Sequence, residues 1–549
     1  MRRKFVFAGL ALLLPCALAH AQGGYVGPRA YDPNSPTHTV SGSVVNSATG
    51  EPIPRALVQL MGGLQRSDLT DSQGSFRFEG VPEGQAMFMA RKPGFFSSEE
   101  LSRGGGRPRA PMMITGDVSS LVLKLTPEGT VAGAITGDDG EPLEGVHLLL
   151  KRQNINNGRK QWETRSHSIT NENGEFRAAG LIPGTYYMVA QAQRPATARA
   201  AAEPNLGYAP SYYPGTPDLA SASAIEVRGG QTAQIEFRLR SQPVYEVAGV
   251  VTGIAPEQRG ANIEFVNRSG DPVTDTVRFN SDDASFNARL PAGTYTVRAT
   301  SFNRQGPAAR ASTTTTITVA ASVSGIRLPL LPGATIPVVV KTEFTNQPSS
   351  AGVAGGSSTV GSSGKPPQTA SVQLMGLDGA TSVYSTYDAA DNNAPLTLRN
   401  VEPGRYTVQI VPHGPWYAQS AVHGQSDLLR EDLVVAQGDA SPIEIVLRDD
   451  AGSVAGSATS DNVAVPALVL VVPERRSTAP QTQYASERGF TINTLAPGDY
   501  LLFAFDSVDG LEYTNREALE PYASRATHVT VNSKGNATVT LTLIKRGES

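Results

Sequence analysis

Apolar and polar residues alternate along most of the chain in short runs, each closed by Pro, Gly, Asn or Asp. Ile225-Glu226-Val227 leads through Arg228-Gly229-Gly230 into Ile235-Glu236-Phe237-Arg238-Leu239, and Val529-Thr530-Val531 leads into Val539-Thr540-Leu541-Thr542-Leu543. A period of two puts the apolar members of each run on one face, so these are strands with one buried side. No stretch sustains the 3.6-residue period of a long amphipathic helix. The breaks have turn chemistry of their own. Thr70-Asp71-Ser72-Gln73-Gly74-Ser75-Phe76 and Thr170-Asn171-Glu172-Asn173-Gly174-Glu175-Phe176 combine an Asx side chain that bonds its own backbone with a Gly that accepts positive φ. Both predict hairpin turns.

One signature recurs five times: Pro and Gly, after an apolar residue in four of the five copies, and usually Tyr, opening an alternating run. It reads Val81-Pro82-Glu83-Gly84, Ile182-Pro183-Gly184-Thr185-Tyr186, Leu290-Pro291-Ala292-Gly293-Thr294-Tyr295, Glu402-Pro403-Gly404-Arg405-Tyr406 and Ala496-Pro497-Gly498-Asp499-Tyr500. The spacing, roughly a hundred residues, is a whole domain rather than a solenoid turn. About fifty residues before most of these corners lies a strand with a central Gly: Val40-Ser41-Gly42-Ser43-Val44, Val131-Ala132-Gly133-Ala134-Ile135, Val247-Ala248-Gly249-Val250 and Val454-Ala455-Gly456. About seven short strands per repeat, punctuated by Pro and Gly, predict a β-sandwich. The fold expected is all-β: five tandem immunoglobulin/transthyretin-like β-sandwich domains joined by short linkers, over 39–126, 127–241, 242–331, 332–449 and 450–549. At each corner Pro fixes φ and Gly permits a reversed backbone, so the next strand enters at a defined angle.

The first unit, with Gly50-Glu51-Pro52-Ile53-Pro54-Arg55-Ala56-Leu57-Val58, Thr70-Asp71, Gly74-Ser75-Phe76 and Val81-Pro82-Glu83-Gly84, resembles a carboxypeptidase regulatory-like domain. Gly140-Glu141-Pro142-Leu143-Glu144-Gly145-Val146 continues the resemblance in the second unit. In the third and fifth it thins to the opening strand, the corner and the final hairpin. The fourth departs furthest, because Ile336-Pro337-Val338-Val339-Val340 lacks the central Gly and Asp388 to Asn393 replaces the tight turn. The resemblance implies a transthyretin-like or prealbumin-like sandwich, overlapping the starch-binding-like folds, of a kind appended to many secreted proteins. It implies little about activity.

Composition narrows the function. The 549 residues carry 46 Lys and Arg against 50 Asp and Glu, a formal charge of −4, and only 17% of residues are charged. No basic excess is present to neutralise phosphates, which argues against nucleic-acid binding. Arg2, Arg3 and Lys4 precede an apolar run from Phe5 to Ala19, and Ala19-His20-Ala21 has the small residues a signal peptidase reads. Residues 1–21 are therefore expected to be a signal peptide, cut before Gln22, with no membrane span after cleavage. The only cysteine, Cys16, goes with the leader, so the mature chain is expected to lack disulfides and thiolate sites. The chain is expected to be exported, to the periplasm, the cell surface or the medium. Residues 22–38 read as a disordered arm, 346–369 as a flexible Gly/Ser loop, and 102–111, with Arg103, Arg107 and Arg109, as a basic loop.

The family resemblance raises the question of a peptidase, which the histidines answer. A zinc carboxypeptidase pairs a His with a Glu three positions on, and none of His20, His38, His147, His167, His413, His423 and His528 has that neighbour. No Gly-x-Ser-x-Gly elbow and no phosphate loop occurs. Asp138-Asp139 and Asp282-Asp283 sit in turns, and Asp388 to Asn393 lacks the pattern of a calcium loop. No catalytic residue, metal or cofactor is assigned. The best binding candidates are aromatic: Trp162, Tyr208, Tyr212, Tyr213, Trp416 and Tyr417, which on a sandwich either stack on sugar rings or pack against neighbouring structure. The sequence thus leads to a non-catalytic binding, adhesion or spacer protein of the cell envelope, its partner an envelope protein or polysaccharide. Alternatives are carbohydrate binding through these aromatics and an accessory role beside a peptidase or outer-membrane receptor. Short junctions such as Thr126-Pro127-Glu128-Gly129 favour sandwiches strung end to end.

Overall fold

Five strands open the five repeats, and each lies between two partners in the same way. In the computed structural model, Thr37–Asn46 runs antiparallel to Ser75–Pro82 and parallel to Val118–Pro127. Gly129–Thr136 lies between Glu175–Leu181 and Thr232–Arg238, and Ser241–Thr252 between Ser285–Pro291 and Val323–Pro329. Ala334–Glu343 lies between Leu396–Val401 and Ile443–Arg448, and Gly452–Ser460 between Phe490–Leu495 and Asn536–Ile544. The closing strand of each repeat is thus parallel to its opening strand. The structure describes residues 36–546 apart from 63–64, 103–111, 157, 193–204, 256–259, 274–276, 303–310, 346–368, 377–381, 387–395, 437 and 475–479. The leader, positions 22–35 of the arm, the basic loop from 103, the Gly/Ser loop up to 368 and the Asp388–Asn393 segment lie outside the described residues.

The central glycines have a geometric cause. A Cβ placed on Gly42, Gly133, Gly249 or Gly456 would stand 1.9, 1.7, 2.2 or 2.1 Å from a carbonyl oxygen of the parallel closing strand. No side chain fits there, so glycine is required where the two strands cross this closely. The fourth opening strand has no such glycine, and it meets its closing strand only from Val338 onward.

Each corner carries the chain from one sheet of the sandwich to the other. Gly84, Gly184 and Gly498 have φ of 131°, 147° and 157°, the backbone freedom expected of them. The tyrosine after the corner locks it. Tyr186, Tyr295, Tyr406 and Tyr500 each donate the phenol O–H to the carbonyl four residues back, on Ile182, Pro291, Glu402 and Ala496, at 2.7–2.9 Å. Burial pushes the Tyr295 and Tyr500 phenols up to about 12, so they remain neutral donors. In the first repeat the corresponding residue is Ala86, and this bond is not made.

Two compact units emerge, one of residues 1–97 with 109–126 and one of 98–108 with 127–549. In the first, the sheet of Arg66–Leu69, Leu57–Gly62, Gly84–Arg91 and Met112–Ile114 closes a core that includes Val44, Val58, Phe88, Ile114 and Leu125. In the second, separate cores form around Leu148 and Phe237, Phe265 and Leu290, Leu374 and Ile445, and Val469 and Leu502. Fully burying one such side chain contributes roughly 1.5–3 kcal/mol. The last sandwich adds a small outer core, where Leu511 and Leu519 cover Phe503 and Phe505. No helix among the described residues is long and apolar enough to cross a membrane.

Candidate functional site: joints between sandwiches

The aromatic candidates are placed in two ways. Five of them are drawn into packing. Tyr212 has no exposed surface, and Tyr213 is half-buried with its ring edge-on to Phe237 at 5.8 Å. Tyr208 packs against the core of the second sandwich, while its strand Leu206–Tyr208 pairs with Ser241–Thr252 and so extends a sheet of the third. Trp416 donates its indole N–H to the Thr369 carbonyl at 2.8 Å and lies 5.1 Å from the Phe344 ring. Tyr417 is buried, its hydroxyl 3.0 Å from Asp450. Trp162 alone of the six keeps a large open face, 44% exposed, with its ring T-shaped against Tyr187 at 5.2 Å.

The second and third sandwiches are joined by polar groups that the sequence offered no reason to pair. Lys151 bonds Asp271, whose side chain is almost wholly buried. The second carboxylate oxygen of Asp271 is buried without a hydrogen-bond partner. Burial raises the carboxyl above its ordinary range, and the Lys151 ammonium only partly offsets that. Beside it Gln191 donates its amide N–H to the Pro272 carbonyl at 2.8 Å. A sequence signal for this turn did exist. Gly270-Asp271-Pro272 forms the same backbone turn as Gly140-Glu141-Pro142, down to the bridge across its base, and Gly50-Glu51-Pro52 forms a bridged turn one residue longer. In the first two turns the acid is exposed; in the third it points at another sandwich.

Asp450 organises the joint between the fourth and fifth sandwiches. It accepts from the Tyr417 hydroxyl at 3.0 Å, from Arg448 Nε at 3.1 Å and Nη2 at 3.0 Å, and from Ser533 Oγ at 2.8 Å. Burial alone would raise its pKa, but the bonds from Ser533 and Tyr417 and the Arg448 charge hold it below the usual carboxylate range. The Tyr417 phenol is pushed up to about 12, first by burial and then by its hydrogen bond to Asp450 and that group's charge. Lys534 adds a bond from its ammonium to Thr345 Oγ1 at 2.9 Å.

The hairpin of Val146–Asn156 and Arg159–Ile169 reaches past its neighbour in sequence. At its tip the Gly158 carbonyl accepts from Thr514 N at 3.2 Å and from Thr514 Oγ1 at 2.5 Å, and Lys160 Nζ lies 3.1 Å from Glu512. Arg159 donates to Thr407 Oγ1 of the fourth sandwich at 2.6 Å. Within this unit, therefore, the sandwiches do not form a string in which only neighbours touch. The expectation of an end-to-end arrangement is corrected here. Its physical cause is strand length: the hairpin arms have 11 residues each, against 6 and 4 for Leu57–Gly62 and Arg66–Leu69 in the first sandwich.

The first sandwich bears an open groove of about 690 Å³ over its opening strand, lined by Ser, Asp, Arg, Gly and apolar residues. Its Arg77 is held by Glu79 at 3.0 Å, and Asp71 accepts the amides of Gln73 and Ser75 within its own turn. Serine hydroxyls there have no histidine in the lining to act as base. Among the described residues, no group of three or more His, Asp or Glu side chains is placed to hold a metal ion.

These features define a class: tandem all-β sandwiches, several of whose polar side chains serve the joints between them. The carboxypeptidase regulatory-like domain family matches residues 39–109 and 130–240, which fall in the first two sandwiches. The human proteins BOS complex subunit NOMO3 and BOS complex subunit NOMO1 are each 28% identical to this chain over 149 residues. The match takes in 26% of this chain and 11% of each of those proteins. Among solved structures, the minor pilin GBS52 of Streptococcus agalactiae is 16% identical over 38% of this chain and 97% of its own, with a TM-score of 0.21. A streptococcal ancillary pilin is 14% identical over 54% of this chain and 100% of its own, with a TM-score of 0.18.

Proposed function

We propose that the protein is an exported, non-catalytic binding, adhesion or spacer protein of the cell envelope, built by joining β-sandwich modules. The observation that carries this reading is the use made of its reactive and aromatic side chains. Lys151, Asp271, Asp450, Arg448, Tyr417 and the tip of the second hairpin all hold one sandwich to another. Carboxypeptidase regulatory-like domains are accessory modules, and no peptidase ligand motif accompanies them in this sequence. Two measurements on the purified chain test the reading. Binding to an envelope fraction that is lost when the fraction is stripped of protein or of polysaccharide would support it and name the partner class. Reproducible hydrolysis of peptide, ester or glycoside substrates would overturn it.

A second reading, carbohydrate binding, has one observation in its favour: the exposed Trp162 ring backed by Tyr187. An aromatic face held edge-on by its neighbour is a rigid platform for the apolar face of a sugar. A glycan array compared between the native chain and Trp162→Ala tests it. Signals that persist in the variant would reject Trp162 as the platform.

A further inference from the structure

In the fourth sandwich, Val372 and Leu374 are buried in the core, and Val383, Val408 and Ile410 pack against it. Strand alternation therefore turns Ser371, Gln373, Tyr384, Gln409 and Val411 out of the opposite face. They lie on three antiparallel strands, Ser382–Thr386, Ala370–Gly376 and Gly404–Pro412. The register sets them in rows: Gln373 stands opposite Tyr384 on one side and Gln409 on the other, and Ser371 stands opposite Val411. Tyr384 is 60% exposed, the most open aromatic side chain among the described residues. Its hydroxyl is tethered, because Gln373 donates its amide N–H to it at 3.0 Å. Gln409 and Val411 are exposed as well. In the row beyond, Thr407 accepts from Arg159 of the second sandwich at 2.6 Å, so the open face extends the other way, toward Ser371 and Val411.

We propose that this face is a binding site for a neutral polysaccharide chain, with Tyr384 as its stacking ring and Gln373 and Gln409 as its hydrogen-bonding groups. The proposal rests on the carbohydrate-binding reading and adds a site on a different sandwich from Trp162. A ring held at its hydroxyl end presents an apolar surface to the C–H side of a sugar. A side-chain amide carries both a donor and an acceptor, which matches adjoining sugar hydroxyls that each do both. Charge selects the ligand. None of the five side chains is charged, and Arg405 on the same strand is paired with Asp432 at 3.5 Å. An anionic chain such as a nucleic acid would need a basic cluster. A protein partner would need a wider apolar centre than one ring and Val411. Neighbouring strands are about 4.8 Å apart, so the Tyr384–Gln373–Gln409 row spans about 10 Å. It thus meets consecutive sugars of a chain, on a spacing held by the sheet ladder.

The test is calorimetric titration of the full chain with neutral oligosaccharides of glucose, mannose and N-acetylglucosamine, beside uronic-acid oligomers, at low and high salt. The native chain is expected to bind at least one neutral series, with an affinity that salt leaves unchanged. Tyr384→Ala should weaken it about 2–10-fold, the worth of one aromatic contact. Gln409→Ala should weaken it about 2–10-fold, the worth of one or two hydrogen bonds. Tyr384→Phe, which keeps the ring, should retain most of the affinity that Tyr384→Ala loses. All three positions are on the surface, and circular dichroism checks that each variant is folded. No binding of any neutral series, binding confined to the uronic acids, or affinity unchanged in both alanine variants would overturn the site. Binding lost in Trp162→Ala but intact in Tyr384→Ala would overturn this site while leaving the carbohydrate reading in place.

Discussion

Asp271 and Asp450 are both buried carboxylates at joints between sandwiches, and both face a basic side chain, yet their charges are treated in opposite ways. Asp271 has Lys151 and one orphaned oxygen, and its pKa is raised. Asp450 has Arg448 in a two-pronged contact plus the Tyr417 and Ser533 hydroxyls, and its pKa is lowered. A single counter-ion does not repay the loss of water around a carboxylate; a complete set of donors does. The buried charge at the first joint therefore rests on one partner, whereas that at the second is shared among several.

The largest expected effect follows from that dependence. Lys151→Met should cost the second and third sandwiches about 3–5 kcal/mol, because it strands a buried charge. Adding Asp271→Leu should recover most of the loss, since an apolar pair of similar volume often replaces a buried ion pair at little cost. Guanidinium denaturation of the single and double variants measures both. A single-variant loss below about 1 kcal/mol, the size of an exposed pair, would break the comparison.

Asp450→Asn should cost less, about 1.5–3 kcal/mol, as the remaining amide still accepts from some of the same donors. The pH dependence separates the two joints by sign. Asp450 has a folded pKa below its unfolded value near 3.9, so its stabilisation is present above that pH and is lost as pH falls through the lowered value. Asp271 has a raised folded pKa, so its contribution is fully present below about 3.9 and is lost as pH rises through the raised value. Denaturation of each Asn variant beside the native chain, from neutral pH to about 3, should show opposite trends. Two parallel trends would mean that the joints treat charge alike.

Gly158→Val should cost about 1–3 kcal/mol at the hairpin tip, because Gly158 has φ 73° and its added Cβ would stand 2.5 Å from the Tyr513 ring. Hydrogen exchange at Thr514 should accelerate, since its N–H is bonded to the Gly158 carbonyl. An unchanged exchange rate would show that the tip contact contributes nothing.

What the sequence disclosed and what it hid divide along the range of the interactions. The alternation, the Asx-Gly turns and the Pro-Gly corners act within a few residues, and they are visible as strings such as Ile182-Pro183-Gly184. Opening glycines such as Gly133 were legible as a pattern, but their cause, the Ile235 carbonyl, lies on the neighbouring strand of the sheet, far along the chain. The joints were not legible. Lys151 and Asp271 are 120 positions apart, and Gly158 and Thr514 are 356 apart, with nothing local to connect them. The aromatic candidates show the same limit. Tyr212 and Trp162 look alike as loop or turn aromatics, and only the packed chain separates a fully buried ring from an exposed one.

The smallest effect should come from Lys160→Ala, which removes the ion pair with Glu512 beside that same tip. Lys160 is half exposed, so water and salt screen its charge, and holding the long side chain costs rotamer entropy. A pair of this kind contributes about 0–1 kcal/mol, falling further as ionic strength rises. It thus completes the series set by Asp271 and Asp450: one buried partner, many buried partners, one exposed partner. The measurement is denaturation at low and high salt, with Gly158→Val as reference. A salt-sensitive loss of a few tenths of a kcal/mol fits an exposed pair. A salt-independent loss above about 2 kcal/mol would place Lys160 with Lys151 among the desolvated contacts, and the hairpin tip would then be an electrostatic joint and not one made by backbone and ring.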